Sequence, residues 1–373
     1  MSGDHWLKEM IDIDLHKKKW VPWMRRSIQL AMNAEGRTSP NPLVGAIVLD
    51  SKGLLVGEGF HSGAGKSHAE VVALGQAGER AKNGTIVVTL EPCCHHGLTP
   101  PCTDALIKSG IKKVVVGMVD PDPRVSGNGI SRLRDSGIEV IEKILEKECE
   151  WINREFIFRV RHGRPWGILK WAMSLDGRIG LPNGASKWIT STPSRDSVHQ
   201  IRSICDAIIV GGGTVRTDNP LLTSRGKANN EPLRVVFTRT LDLPKSANLW
   251  QTNIAKTIIA FGPGGDKALF SDFPKGPERL SLRSNDPGEL LEALGKKGCN
   301  KVLWECGPSL ATSAIEANCV QELIVFVAPK LLGGNPSMSP LGSFGFESIS
   351  SSYKLQHSFL DRKGEDLCWR LHI

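Results

Sequence analysis

Short apolar runs recur along this chain with helical patterns between them, and that alternation restricts the fold more than any other feature. Thr85 to Leu90, Lys113 to Val119, Ala207 to Val210, Leu233 to Phe237, Thr257 to Phe261, Lys301 to Trp304 and Glu322 to Val327 all read as strands. Leu43 to Asp50 adds another, broken at Lys52-Gly53 before a further strand to Phe60. Helical patterns cover Met24, Ile28, Leu30, Ala31 and Met32, then Val71 to Ala81, and Thr103 to Ser109 up to Gly110. Strands alternating with helices imply three-layer α/β architecture. A chain of 373 residues exceeds what one core usually organises, so two domains are expected. A charged helical stretch from Leu145 to Arg161 runs into His162-Gly163-Arg164-Pro165, and a fresh strand starts at Trp166. The boundary is therefore set between residues 163 and 164, with residues 1–22 read as a loosely attached N-terminal arm.

Several functional classes drop out on composition. The first twenty residues scatter charge and lack the apolar stretch of a signal peptide. No window approaches about 18 consecutive apolar residues, so a membrane span is not expected and the cytoplasm is the default location. Nine cysteines are too few and too dispersed for a disulfide framework, and three of them crowd between Cys93 and Cys102. A net charge of +8 suits nucleic acid or phosphorylated small molecules. The longest Lys/Arg block is Lys17 to Lys19 and there is a single Tyr, which favours the small molecules.

The crowded cysteines sit in Glu91-Pro92-Cys93-Cys94-His95-His96-Gly97-Leu98-Thr99-Pro100-Pro101-Cys102, downstream of Ser67-His68-Ala69-Glu70. A catalytic zinc takes three protein ligands and keeps a fourth position open. His68, Cys93 and Cys102 supply the three, leaving Glu70 as an unligated proton carrier. Residues two apart in mid-helix face nearly opposite ways, so His68 and Glu70 share a site only at a helix start. Gly65-Lys66-Ser67 provides the preceding loop, with Ser67 expected as the N-cap. Pro100-Pro101 likewise prepares a helix start at Cys102, where the helix dipole favours a thiolate. The pattern is that of the zinc deaminases, with the ligand cysteines nine positions apart instead of three. A four-ligand structural site completed by Cys94, His95 or His96 is the competing reading, and it leaves Glu70 without a purpose.

With its long insertion between the cysteines, the segment Cys93 to Cys102 resembles the bifunctional deaminase/reductase family of riboflavin biosynthesis. Pro40-Asn41-Pro42-Leu43-Val44-Gly45, Gly59-Phe60-His61 and Asp120-Pro121-Asp122-Pro123 with Val125, Gly127 and Gly129 resemble further signatures of its deaminase domain. The resemblance implies a cytidine-deaminase-like fold, Asn41 and His61 on the substrate, and zinc on His68, Cys93 and Cys102. Without it, Asn41 reads equally as a turn residue and His61 as a polar strand end. Leu98 stands where the family carries Lys or Arg toward the substrate's phosphate; a leucine cannot pair with phosphate, which leaves that task to another cation such as Lys66.

The second half continues the resemblance. Lys170-Trp171-Ala172-Met173-Ser174-Leu175-Asp176-Gly177-Arg178, Ser186 to Thr190, Asp206 to Val215, Thr217 to Thr223 and Glu305 to Leu310 are similar to the family's reductase domain, whose fold is dihydrofolate-reductase-like. Gly211-Gly212-Gly213 and Gly307-Pro308-Ser309 each follow a strand and open a helix, an arrangement that suits phosphate, although glycine runs are mostly turns. Neither is a Rossmann fingerprint. The resemblance implies NADPH contacts at Ala172, Trp188, Thr214, Asp218 and Gly307, Pro308, Ser309, Leu310, Ala311, Thr312 and Ser313, with Arg239 a nearby candidate for the cofactor's 2′-phosphate. It implies substrate contacts at Ser186, Arg202, Leu222, Arg225 and Glu305. The expected partners are phosphorylated pyrimidines and further copies of the chain, with neither nucleic acid nor membrane. A nucleic-acid deaminase would share the zinc chemistry but leaves the second half unexplained; a zinc-stapled binding protein leaves Glu70 unexplained.

Overall fold

The computed structural model describes residues 15–95, 100–123, 125–265, 276–334 and 339–373. The chain divides into two compact units that meet in sequence between Gly163 and Arg164.

The first unit runs α1 (Leu15–Lys18), α2 (Val21–Met32), β1 (Gly45–Leu49), β2 (Leu55–Phe60), α3 (Ala69–Ala77), β3 (Thr85–Leu90), α4 (Cys102–Lys108), β4 (Lys113–Met118), α5 (Asn128–Asp135), β5 (Glu139–Ile141), α6 (Glu146–Ile152) and α7 (Arg154–His162). Its sheet has the order β2-β1-β3-β4-β5. β1 pairs antiparallel with β2 and β3, while β3, β4 and β5 are parallel. Successive residues of β1 serve opposite layers, as strand geometry requires. Ala46 and Val48 pack with Ala69, Ala73, Leu106 and Leu133 on one face; Ile47 and Leu49 pack with Met24, Leu30, Cys149 and Ile157 on the other. Helix α3 lies close to the sheet because β2 offers glycine there. A Cβ on Gly59 would sit 2.5 Å from the Ala69 carbonyl oxygen.

Two expectations are corrected in this unit. The arm assigned to residues 1–22 is integrated from Trp20 onward: Trp20 and Val21 belong to the core with Met24, and the Lys19 and Lys113 ammonium groups approach the Trp20 ring at 5.0 and 5.6 Å. Residues 1–14 lie outside the described residues. The helix read from Leu145 to Arg161 is two helices, because Asn153 leaves helical geometry. Its side chain is recruited elsewhere, accepting from Leu43 N–H at 2.8 Å and donating to the Leu43 carbonyl at 3.0 Å.

The second unit comprises β6 (Trp166–Ser174), α8 (Thr192–Ser203), β7 (Ala207–Gly211), α9 (Gly212–Asp218), β8 (Leu233–Thr238), β9 (Thr257–Phe261), β10 (Glu278–Ser281), α10 (Pro287–Lys296), β11 (Lys301–Trp304), α11 (Pro308–Glu316), β12 (Glu322–Ala328), β13 (Gln356–Lys363) and β14 (Asp366–His372). The strands order as β10-β9-β8-β7-β11-β6-β12-β14-β13. All from β10 to β12 are parallel, and the β13–β14 hairpin closes one edge antiparallel. Ala207 and Ile209 face one core layer, Ile208 and Val210 the other. No helix among the described residues is long and apolar enough to cross a membrane.

The hairpin also fixes α8. Ser191, the N-cap residue, makes no side-chain cap of its own. Instead the buried Asp366 carboxylate accepts the Ser191 N–H at 2.7 Å and the Ser191 and Ser194 hydroxyls at 2.7 and 2.6 Å. Asp366→Ala removes the acceptor of the Ser191 N–H and leaves the two hydroxyls only the Lys363 carbonyl, at 3.2 and 3.5 Å, so a loss of about 1 kcal/mol is expected in thermal or urea unfolding. A loss under about 0.5 kcal/mol would show that the remote cap is not what holds α8.

Candidate active sites

Helix α3 begins at the far end of a loop after β2, and its N-cap is His68 rather than the Ser67 expected from sequence. The extended backbone of the cap (φ −70°, ψ 158°) swings the imidazole off the helix axis, which is how His68 and Glu70 come to share one site. Cys93 lies just beyond β3, and Cys102 opens α4 behind Pro101 as anticipated. His68 Nδ1 lies 3.1 Å from Cys102 Sγ and 3.5 Å from Cys93 Sγ, and all three ligand atoms fall within 4.8 Å of one another. Ligand atoms around a tetrahedral zinc stand about 3.5 Å apart for bonds of roughly 2.0 to 2.3 Å, so this set fits the ion. Cys94 is not part of the cluster. His96 and Leu98 lie outside the described residues, and the substitute cation proposed for Leu98, Lys66, sits on an exposed loop.

Electrostatics match the geometry. The Cys102 thiol, against the effect of burial, holds Cys93 down to about 4, helped by the His68 ring and the Cys102 N–H at 3.3 Å. Glu70 is buried, and desolvation reinforced by the Cys93 thiolate raises its carboxyl to about 7 despite its own N–H, His68 and the Cys102 thiol. Beside them, His61 is buried with its ring 5.5 Å from that of His68. Its Nδ1 faces the Ser67 carbonyl at 3.2 Å and must donate, so Nε2 accepts from Asn41 Nδ2 at 3.0 Å. Burial lowers its pKa, opposed by the Ser67 carbonyl, and the ring stays neutral and fixed.

In the second unit, Glu305 follows β11 and receives Arg202 from α8 in a two-pronged ion pair, Nε–Oε1 2.6 Å and Nη2–Oε2 2.9 Å. Lys170 of β6 stands 3.8 Å from the same carboxylate. Burial alone would raise the Glu305 carboxyl, but Arg202 and Lys170 outweigh it and hold it at about 2. Arg202 Nη1 also donates to the Thr223 carbonyl at 3.1 Å, and His199 Nδ1 meets the same oxygen at 3.2 Å. Sequence reasoning missed His199 and Thr223. The available signal was the spacing of His199 and Arg202, three apart on one helix and so on one face.

The loop from Asn219 to Arg225 carries left-handed backbone at Asn219, Leu222 and Arg225. Leu222 is 3% exposed and packs in the core, so its side chain is committed inward, whereas Arg225 is exposed. Gly211 caps α9 and Gly307 caps α11, the helices leaving adjacent parallel strands β7 and β11. A Cβ on Gly307 would come within 3.8 Å of Thr214 Oγ1, which puts the two glycine segments side by side. Within the 307–313 stretch, Ala311 is in the core and the Thr312 hydroxyl is held between the Pro308 carbonyl and the Gly342 N–H. Ser309 and Ser313 are exposed, as are Trp188 and Arg239; Ala172, Ser186, Thr214 and Asp218 are half-buried. The structure thus brings together Lys170, Arg202 and Glu305 in one cluster, and Thr214 and Gly307 in another.

Known proteins match both units. Residues 18–118 match the cytidine and deoxycytidylate deaminase zinc-binding region, and residues 165–368 match the RibD C-terminal domain. The riboflavin biosynthesis protein RibD of Synechocystis is 47% identical over 92% of this chain and 93% of its own length. RibD of Aquifex aeolicus is 41% identical over 92% of this chain and 96% of its own. The crystal structure of a diaminohydroxyphosphoribosylaminopyrimidine deaminase/5-amino-6-(5-phosphoribosylamino)uracil reductase from Thermotoga maritima superimposes with a TM-score of 0.86 at 36% identity, covering 96% of this chain and 99% of that one. With relatives matched nearly end to end and a three-ligand zinc cluster in place, the chain belongs to the RibD family, the bifunctional deaminase and reductase of riboflavin biosynthesis.

Proposed function

We propose that the first unit deaminates 2,5-diamino-6-ribosylamino-4-pyrimidinone 5′-phosphate and that the second reduces the ribosyl chain of the product, 5-amino-6-(5-phosphoribosylamino)uracil, with NADPH. The observation that carries the first step is the buried, unligated Glu70 beside the His68–Cys93–Cys102 cluster. Zinc held there supplies Lewis acidity that brings the pKa of a water toward neutrality. Glu70, with its carboxyl raised to about 7, takes one proton from the attacking water and passes it to the ring nitrogen, then takes the second from the new hydroxyl and passes it to the departing amine, which leaves as ammonia. Asn41 and His61 hold the pyrimidine, an assignment supported by His61 lying against His68; with both its ring nitrogens engaged, His61 serves by fixing the Asn41 amide.

For the reduction, NADPH bound to the second unit would supply the hydride that, together with one proton, reduces C1 of the ring-opened ribosylamine, and the protein chiefly positions the partners. Thr214, Asp218, Gly307, Pro308, Ser309, Leu310 and Ser313 take the cofactor with Ala172 and Trp188, an assignment supported by the adjacent helix starts after β7 and β11; Ala311, in the core, and Thr312, its hydroxyl engaged internally, do not offer it side chains. Arg239 is assigned to the 2′-phosphate. Ser186, Arg202, Leu222, Arg225 and Glu305 face the substrate, Leu222 through its backbone since its side chain is in the core. Exposed Arg225 takes the phosphate more readily than Arg202, whose guanidinium is engaged with Glu305.

The test is to supply the diaminopyrimidine phosphate with and without NADPH. Ammonia appears in both cases, and NADPH is consumed only after ammonia has been released. Ammonia without any later oxidation would remove the reductase half of the reading.

A further inference from the structure

Glu91 has no role in the chemistry above, yet it is among the most thoroughly bonded carboxylates in the chain. It is buried at the end of β3, two residues before the zinc ligand Cys93. Its Oε2 accepts the backbone N–H groups of Asp120 (3.1 Å) and Gly127 (3.0 Å). Its Oε1 accepts those of Gly129 (2.9 Å) and Ile130 (3.2 Å). The last two belong to the first turn of α5, whose own N-cap, Gly127, has no side chain to offer. One carboxylate therefore caps α5 from a distance and gathers the loop after β4 at the same time.

Two more contacts join the same pieces. A Cβ on Gly129 would fall 2.1 Å from the Pro92 carbonyl oxygen, so only glycine lets α5 press against the residue before Cys93. Further along α5, Arg132 pairs with Asp104 at 2.6 Å and donates to the Cys94 carbonyl at 3.4 Å. Asp104 lies in the first turn of α4, which Cys102 opens. Helix α5 is thus fastened to the segments that carry both zinc-binding cysteines. The loop it anchors leaves β4 at the same edge where Cys93 leaves the parallel neighbour β3. In open α/β sheets that edge, beyond the carboxyl ends of the strands, is where ligands bind.

We infer that Glu91 is a positioning residue for deamination, clasping Asp120 and residues 127–130 against the thiolate-bearing segments so that one wall of the substrate site keeps a fixed register with the metal. The inference rests on the deaminase reading of this site. It separates cleanly from a purely structural role through the substitution Glu91→Gln. The amide keeps the shape and one acceptor oxygen, but its NH2 group confronts two backbone N–H donors, so one half of the clasp opens.

The experiment uses the full-length, zinc-loaded protein, with deaminase and reductase constants measured on the same preparation and zinc counted by atomic emission. For Glu91→Gln, a deaminase KM raised about tenfold with kcat changed less than about threefold is expected, with zinc content and reductase constants as in the wild type. Arg132→Met, a surface change that releases Asp104 and the Cys94 carbonyl, is expected to raise KM about threefold. An unchanged KM in both variants overturns the inference, as does a fall in kcat that merely follows loss of zinc. If Glu91→Gln also loses reductase activity and does not fold, Arg132→Met decides alone: a raised KM supports the clasp and an unchanged one sinks it. A wild type that releases no ammonia removes the underlying deaminase reading, an outcome distinct from an active wild type whose variants keep its KM.

Discussion

Glu70→Gln is expected to lower the deaminase kcat about a thousandfold, the scale of a lost general acid–base group, while leaving reductase turnover on pre-deaminated substrate untouched. None of the three zinc ligands changes, so the metal content should hold at the wild-type level. Stability supplies an independent control. The Glu70 carboxyl is raised to about 7 in the fold, against about 4.5 for an ordinary glutamate. A raised carboxyl costs nothing below pH 4.5, and its cost grows to its full value above pH 7. A glutamine removes that cost, up to about 3 kcal/mol in the metal-free protein. The metal-free variant should therefore melt higher than the metal-free wild type at pH 8 and equally at pH 4. An inactive variant that melts lower at both pH values would mean that Glu70 holds the fold and carries no proton.

The zinc cluster was legible because its ligands are local in sequence and both of its halves are helix starts, which loops and prolines announce. The cap itself was misplaced by one residue. Serine is the better capping residue in general, but here the imidazole must leave the helix axis to reach the cysteines, and that tertiary requirement puts His68 at the cap. The apolar strands were equally readable. What escaped were elements whose patterns obey distant partners. The β13–β14 hairpin mixes exposed Phe359, Leu360, Leu367 and Trp369 with charged neighbours, and neither period emerges from such a mixture. Asn153 breaks a helix to serve Leu43, 110 positions away. Glu91 gave a faint signal, a carboxylate at the end of an apolar strand, but the four N–H groups that explain it lie 29 to 39 positions further on. Likewise the sequence presents Arg202 and Glu305 as separate substrate contacts, and only the fold turns them into each other's partner.

That pairing leads to the second large effect. Glu305→Gln keeps the side-chain shape but leaves Lys170 and Arg202 as neighbouring cations without their carboxylate. Breaking one side of a largely buried pair costs about 3 to 5 kcal/mol, so the reductase should lose activity on warming several degrees below the wild type while deaminase activity survives as before. The wild type makes the same point through acid. Glu305 is held at about 2, below the ordinary value of about 4.5, so the stability it contributes is complete above pH 4.5 and drains away as the pH falls toward 2. A shift of that size corresponds to about 3 kcal/mol, which agrees with the expected cost of the substitution. Lys170 moves the other way: burial pushes its ammonium down, Arg202 adds to that, and Glu305 only partly offsets them. The stabilising contact is therefore the Arg202–Glu305 fork, with Lys170 a buried cation kept at some cost beside it. Lys170→Met should consequently leave the melting temperature unchanged or higher. If Lys170→Met lowers stability as much as Glu305→Gln does, the three groups act as one structural triad.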